Sequence, residues 1–327
     1  MRRFKSILCV LEHGEASQRA LERAVALAEN NQAALMVVDV IPPVGGRAGM
    51  PVGGRDLRDI QAAMLSEHEE RLASLVAPHR ARLDIQRKVL LGTSFLEIIR
   101  EVLRGGHDLV IKSPESPDWL DRLLSGEDMH LLRKCPCPVW MVKPEAKESF
   151  KRILAAVDVD DSYPPAELDT RRALNNLILE IASALAVSEF AELHVVHAWE
   201  ATGEGAMRRG AFLSQPEDEV DAYVEQVRRH HAQRLDELMV KAGAHLGTDA
   251  MNYLKPQVHL LKGSARKEIP AVAERLEVDC IVMGTVARTG VRGFFMGNTA
   301  ETILEQIRCS VLAIKPAGFV TPVALED

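Results

Sequence analysis

The residues best suited to chemistry lie in one stretch that runs from Gly284-Thr285-Val286-Ala287-Arg288 through Gly290, Arg292 and Gly293 to Gly297-Asn298-Thr299. It follows an apolar, strand-like run, Ile281-Val282-Met283, and leads into the apolar Thr302-Ile303-Leu304. Its four glycines, Gly284, Gly290, Gly293 and Gly297, let backbone N–H groups approach a ligand with no Cβ in the way. Gly297-Asn298-Thr299 opens a helix, whose unpaired N–H groups and dipole attract an anion such as phosphate. Asn298 or Thr299 can also serve as an ordinary N-cap, with Glu301 in the first helical turn. That reading accounts for Asn298 but not for the glycines.

Other reactive-looking groups are read as structural. Arg228-Arg229-His230-His231 lies in a long helical pattern and reads as a solvated face. His194 and His197 are three apart on a strand and point to opposite faces, so they cannot jointly grip one metal. The chain contains no His-Glu-x-x-His, no Gly-x-Ser-x-Gly and no P-loop with its lysine, which disfavours a conventional ATPase. Five cysteines (Cys9, Cys135, Cys137, Cys280, Cys309) make no disulfide framework. Cys135-Pro136-Cys137-Pro138 lacks the second ligand pair a zinc site needs, and cysteines in apolar runs act as small hydrophobes.

Composition narrows the classes further. Acidic residues outnumber basic ones by 47 to 40, giving a net charge of −7, and no Lys/Arg-rich run exists. A dedicated nucleic-acid or anionic-membrane binder is therefore not expected, and 4% aromatic content argues against base-stacking platforms. Met1-Arg2-Arg3-Phe4 leads straight into a strand-like run, and no stretch approaches about 20 apolar residues. Neither a signal peptide nor a membrane span is expected, and the cytoplasm is the expected location.

The elements that must position the glycine stretch emerge from an internal duplication. Ile7–Glu12 matches Ile153–Asp158, and Ala34–Val40 matches Glu192–Ala198. Leu90–Ser94 matches Leu261–Ala265, Asp108–Lys112 matches Asp279–Met283, and Cys137–Pro144 matches Cys309–Pro316. Five blocks in one order make two copies of one fold, with 1–146 as the first domain, 147–320 as the second and 321–327 as a tail. Helical periodicity predicts helices over Ser17–Glu29 after a Ser cap, Ile60–Val76, Phe95–Leu103 and Glu127–Arg133. In the second copy it predicts Thr170–Ala186, Glu217–Lys241, Arg266–Leu276 and Thr299–Ile307. The strands are near-continuous apolar runs, as in a parallel sheet covered on both faces. The expected fold class is α/β, two tandem doubly wound parallel-sheet, Rossmann-like domains. Ligands in such sheets lie beyond the carboxyl ends of the strands where strand order reverses. That directs attention to Glu12 or Asp158, Asp39 or Ala198, and the loop after Met283. The glycine-rich segments Pro42–Gly54 and Gly203–Pro216 read as surface loops.

On these residues the whole chain resembles the universal stress protein family, two Usp domains fused in the UspE-like manner. The family's nucleotide motif is Gly, two residues, Gly, nine residues, Gly and then Ser or Thr. Here the frame is Gly284, two residues, Ala287, nine residues, Gly297, Asn298, with spacing intact, alanine for the second glycine and asparagine for the hydroxyl residue. The resemblance implies that Asp158 contacts the adenosine moiety and the backbone at Ala198 contacts adenine. It implies that Gly284, Ala287, Gly297, Asn298 and Thr299 hold phosphates, with Arg288 and Arg292 helping to neutralise charge. Gly263 lies in the family's glycine turn, which also reads as plain strand-to-helix chemistry.

Against Gly284–Asn298 the first copy offers Ser113–Glu127, in which only Gly126 remains. Pro114 and Pro117 remove donors, Glu115, Asp118, Asp121 and Glu127 repel phosphate, and Glu12 replaces the strand-end aspartate. This half is expected to bind no ATP. The resulting expectation is a stress-response protein whose second domain binds ATP or another adenine nucleotide, with or without Mg, and is not an enzyme. The alternatives are an interaction scaffold that binds no nucleotide and a binder of another small molecule in the strand-end cleft. The family's pairing through last strands, here Val139–Val142 and Val311–Ile314, implies either pairing of domains within the chain or a homodimer.

Overall fold

In a computed structural model of the protein, the described residues are 4–11, 16–44, 57–114, 126–209, 215–285 and 296–325. The apolar runs form strands whose side chains are buried on both faces; Ile7, Leu8, Cys9 and Val10 are all fully buried. The first half runs β1 (Ser6–Val10), α1 (Ala16–Asn31), β2 (Ala34–Ile41), α2 (Leu57–Val76), β3 (Ile85–Leu91), α3 (Ser94–Gly105), β4 (Leu109–Lys112), α4 (Glu127–Lys134) and β5 (Val139–Met141). The second half begins β6 (Arg152–Ala156), α5 (Pro165–Glu189), β7 (Glu192–Trp199), α6 (Glu204–Arg209), α7 (Glu217–Leu246) and α8 (Thr248–Leu254). It ends β8 (Gln257–Lys262), α9 (Ala265–Arg275), β9 (Cys280–Gly284), α10 (Asn298–Gln306) and β10 (Ser310–Ile314).

Both halves carry parallel strands in the same order, but they share one ten-stranded sheet ordered β3-β2-β1-β4-β5-β10-β9-β6-β7-β8. Among the described residues only the central β5–β10 pair is antiparallel, with Leu312 opposite Trp140. Each last strand has a neighbour on both sides, so the pairing lies within the chain and neither strand offers an edge to a homodimer. Helices α1, α2, α5 and α7 cover one face and α3, α4, α9 and α10 the other. Strand order reverses between β1 and β4 and between β6 and β9, which opens a cleft at the carboxyl end of each half.

Several boundaries differ from the sequence reading. Ser17 lies inside α1 and is not its cap, because the helix begins at Ala16. Helix α5 starts at Pro165, where a proline's missing N–H leaves no helical bond unmade. Glu204–Arg209, expected as loop, is helical, and Glu204 accepts from both Arg208 (3.0 Å) and Lys262 (2.8 Å). The remaining loop residues 210–214, and 45–54 of the earlier loop, lie outside the described residues. Among the described residues no helix is long and apolar enough to cross a membrane.

Candidate functional site

The cleft of the second half is a cavity of about 670 Å³ at the ends of β6, β7 and β9. Asp158, Ala198, Gly284, Gly297 and Thr299 line it together, as the sequence led us to expect. Two helix N-termini meet there: Ser264, Ala265 and Arg266 bring the start of α9, and Gly297, Thr299 and Ala300 bring the start of α10. First-turn N–H groups have no partner within their own helix, so both starts present donors and positive dipole ends. The helices are held side by side in part by Gln306. Pro270 has no N–H for the Arg266 carbonyl one turn back, and Gln306 Nε2 donates to that carbonyl at 3.2 Å.

Asn298 is the first residue of α10, between the lining residues Gly297 and Thr299, and its carbonyl accepts from Thr302 Oγ1 at 2.9 Å. Gly297 holds the N-cap position with no side-chain cap, so neither Asn298 nor Thr299 caps the helix. Ala287, Arg288 and Arg292 lie outside the described residues, as do Glu12, Glu115, Pro117, Asp118 and Asp121 of the first half.

The glycines differ in what they do. Gly263 has φ +138°, and a Cβ there would meet Glu268 Oε1 at 2.6 Å, so the turn needs glycine for its own geometry. At Gly284 a Cβ would lie 2.6 Å from Leu174 Cδ2, and the bare backbone makes room for α5. Gly284→Ala should therefore push Leu174 towards the cavity and lower unfolding free energy by about 1–3 kcal/mol in urea titrations. Gly297 has no described atom within 4 Å of where a Cβ would stand, and it lines the cavity.

Asp158 is engaged from its own half. Its carboxylate accepts from Arg171 at 2.7 Å, while Asn175 bonds both its N–H (3.0 Å) and its carbonyl (2.7 Å). The Arg171 guanidinium lies 3.3 Å over the Tyr163 ring, a stacked cation–π contact. Burial, then the Asp158 charge, push the Tyr163 phenol up to about 12. One end of the cavity is thus a fixed Asp–Arg–Tyr–Asn frame.

The floor beside it holds histidines that the sequence reading assigned elsewhere. His231 is buried and lines the cavity, not the solvated face expected of the Arg228–His231 run. Arg228 and Arg229 are exposed and paired with Glu225, as expected. The signal for His231 was present: it shares the buried stripe of α7 with Leu235, Leu238 and Ala242, at helical spacing. Its ring stacks against Trp199 (5.9 Å) and against His197 (5.1 Å), with His197 Nε2 3.0 Å from His231 Nδ1. His197 Nδ1 lies 3.3 Å from the Val157 carbonyl and accepts from the Val159 N–H at 3.5 Å, so the main chain at the end of β6 holds the ring from the other side.

Burial lowers both imidazoles below the ordinary value of 6.5, against the opposing pull of Asp158 and Asp160. Such a group binds its proton more weakly in the folded chain than in the unfolded one. Stability should therefore be full above pH 6.5 and fall as the pH drops below it. Denaturant midpoints measured from pH 8 to 5 should show this loss, and His231→Gln should flatten it. An unchanged slope would exclude the pair as a source.

Among the described residues of the first half, charged side chains stand at the positions equivalent to the lining of the second half's cavity. In the register of the sheet Lys112 stands where Met283 stands in the second half. Lys112, 1% exposed, donates to Asp128 at 2.5 Å. Glu127 accepts from the Phe95 N–H at 3.3 Å, placing a carboxylate at the start of α3. Asp39, at the end of β2 with 0% exposure, pairs with His68 (2.5 Å) and with Arg71. This Asp–His contact occupies the place of the His197–His231 contact in the other half.

The family comparisons agree with the duplicated fold. The model of the universal stress protein family matches residues 3–143 and again 149–315. The chain is 30% identical to "Universal stress protein E" of Escherichia coli strain K12, over 100% of this chain and 99% of that protein. It is 28% identical to the protein of the same name from Photorhabdus laumondii, over 99% and 98% of the two chains. Among solved structures, a functionally unknown protein from Pseudomonas aeruginosa PAO1 is 27% identical with a TM-score of 0.67, covering 96% of this chain and 93% of that one. A universal stress protein from Archaeoglobus fulgidus, 16% identical, shares the fold with a TM-score of 0.59 over 97% and 98% of the chains. With the family model matched twice in succession, the chain belongs to the universal stress protein family as a tandem, UspE-like member.

Proposed function

We propose that the second half binds an adenine nucleotide, ATP or a close relative, as a sensory or stabilising ligand, and that the first half does not. The observation that carries this reading is the contrast between the clefts. One is a cavity of about 670 Å³ facing two helix N-termini; at the other, the Lys112–Asp128 pair stands where the second half has Met283 and Thr299, and Glu127 sets a carboxylate at the start of α3. The volume suits a ligand of nucleotide size. Phosphates would meet the first turns of α9 and α10 with Thr285, Gly297 and Arg266, and adenosine would lie by Asp158 and the backbone at Ala198. We read the protein as a binder and not a catalyst. The cavity's two imidazoles hydrogen-bond each other, and among the described residues neither pairs with a hydroxyl that it could activate.

Equilibrium dialysis with labelled ATP, with and without Mg, tests the reading, together with mass spectrometry of any ligand released from purified protein. Retention of about one nucleotide per chain and a melting temperature that rises with added ATP are expected. An empty protein whose melting ignores nucleotide would favour the scaffold. A different released molecule would reassign the cleft.

A further inference from the structure

We propose that Lys315 is a positioning residue for Thr285 in the wall of the second half's cavity, tying that wall to the first half. The Thr285 N–H donates to the Ile314 carbonyl (3.1 Å), and its carbonyl accepts from the Gly297 N–H (3.0 Å), so it joins the ends of β9 and β10 to the start of α10. Its hydroxyl accepts from Lys315 Nζ at 2.5 Å. Having accepted there, that hydroxyl keeps its own proton to donate, and Thr285 lines the cavity.

Lys315 extends from the end of β10 and also donates to the Leu132 carbonyl in α4 of the first half. That carbonyl is orphaned by sequence, because the residue one turn on is Pro136, which has no N–H. Arg133, next to Leu132, pairs with Glu301 of α10 at 2.6 Å, a second tie between α4 and the second half. Lys315 is 5% exposed, and burial pulls its pKa down to about 7 despite the opposing influence of the Cys135 and Cys137 thiols. An ammonium placed so unfavourably is a poor stabiliser of the fold; an apolar side chain of similar size does as well or better. Its bond to Thr285 gives it a use that stability alone does not.

The inference rests on the nucleotide reading, and the test keeps the two apart. ATP affinity is measured for the full chain, for Lys315→Met, for Thr285→Val and for the double variant, with melting followed without ligand. Binding by the wild type sustains the nucleotide reading. Lys315→Met is then expected to weaken ATP about tenfold, Thr285→Val at least as much, and the double variant to be no weaker than Thr285→Val, since Lys315 acts through the hydroxyl that this variant removes. Melting should change little, because relief of the buried charge offsets the loss of a donor to Leu132. Wild-type affinity in Lys315→Met, or a double variant whose losses add, would overturn the anchor. So would a Lys315→Met protein that loses stability but keeps its affinity, which is the mark of a lysine that serves Leu132 alone. A wild type that binds no ATP fails the reading itself and leaves the anchor no site to serve.

Discussion

Replacing Gly297 with valine is expected to weaken ATP binding at least about 100-fold, about 2.7 kcal/mol, while leaving the protein folded. Position 297 has φ −64° and ψ 134°, an extended conformation that any residue adopts, so the substitution introduces no backbone strain. Among the described residues no atom lies within 4 Å of where the Cβ would stand, and Gly297 lines the cavity. The new methyl groups are therefore expected to crowd the cavity at the start of α10, where a phosphate would lie against the first-turn N–H groups. The loss of binding comes from occupied volume and from donors shielded at one place.

Some stability is lost as well. Gly297 holds the N-cap, and valine is a poorer cap than glycine, which costs about 1 kcal/mol. This is too little to unfold the chain, and melting without ligand records it separately. With ATP at 100 times its dissociation constant, the wild type should gain about 2.7 kcal/mol of stability and the variant close to none. Equal ligand-induced stabilisation in both proteins would remove this cradle from the site.

Much of this was legible because the fold is written twice. The paired blocks at Ile7 and Ile153, and at Asp108 and Asp279, became neighbouring central strands in each half. Near-continuous apolar runs identified both sheets as parallel and covered. The lining roles of Asp158, Ala198, Gly284, Gly297 and Thr299 followed from strand ends and a glycine stretch. What escaped depends on partners distant in sequence. His231 was masked by the charged residues beside it, although its place on the buried stripe of α7 pointed inward. Lys315 looked like a strand-end cation, and its burial arises only when β10 packs against the first half. The joining of the halves into one sheet was one of two alternatives that apolar last strands allow, and only the β5–β10 register decides between them.

The charged pair of the first half yields the largest change in stability to be expected. Lys112 and Asp128 are an ion pair at 2.5 Å with side chains 1% and 10% exposed. Lys112→Met takes a cation away from the Asp128 carboxylate, and Asp128→Thr takes an anion away from the Lys112 ammonium. Each should cost about 3–5 kcal/mol, because a buried charge that loses a partner recovers little of its hydration. The double variant, which installs the residues the second half carries as Met283 and Thr299, strands neither charge. It should be about as stable as the wild type, giving a coupling of several kcal/mol between positions whose single losses do not add. Urea titrations of the four proteins measure this cycle. The sign matters for how the first half came to carry these charges. A large coupling means that the pair is held by mutual dependence, so that neither residue can change alone once both are in place. If Lys112→Met cost less than about 1 kcal/mol, as an exposed pair would, the pair would not be sealed from water, and the contrast between the two clefts would lose its physical basis.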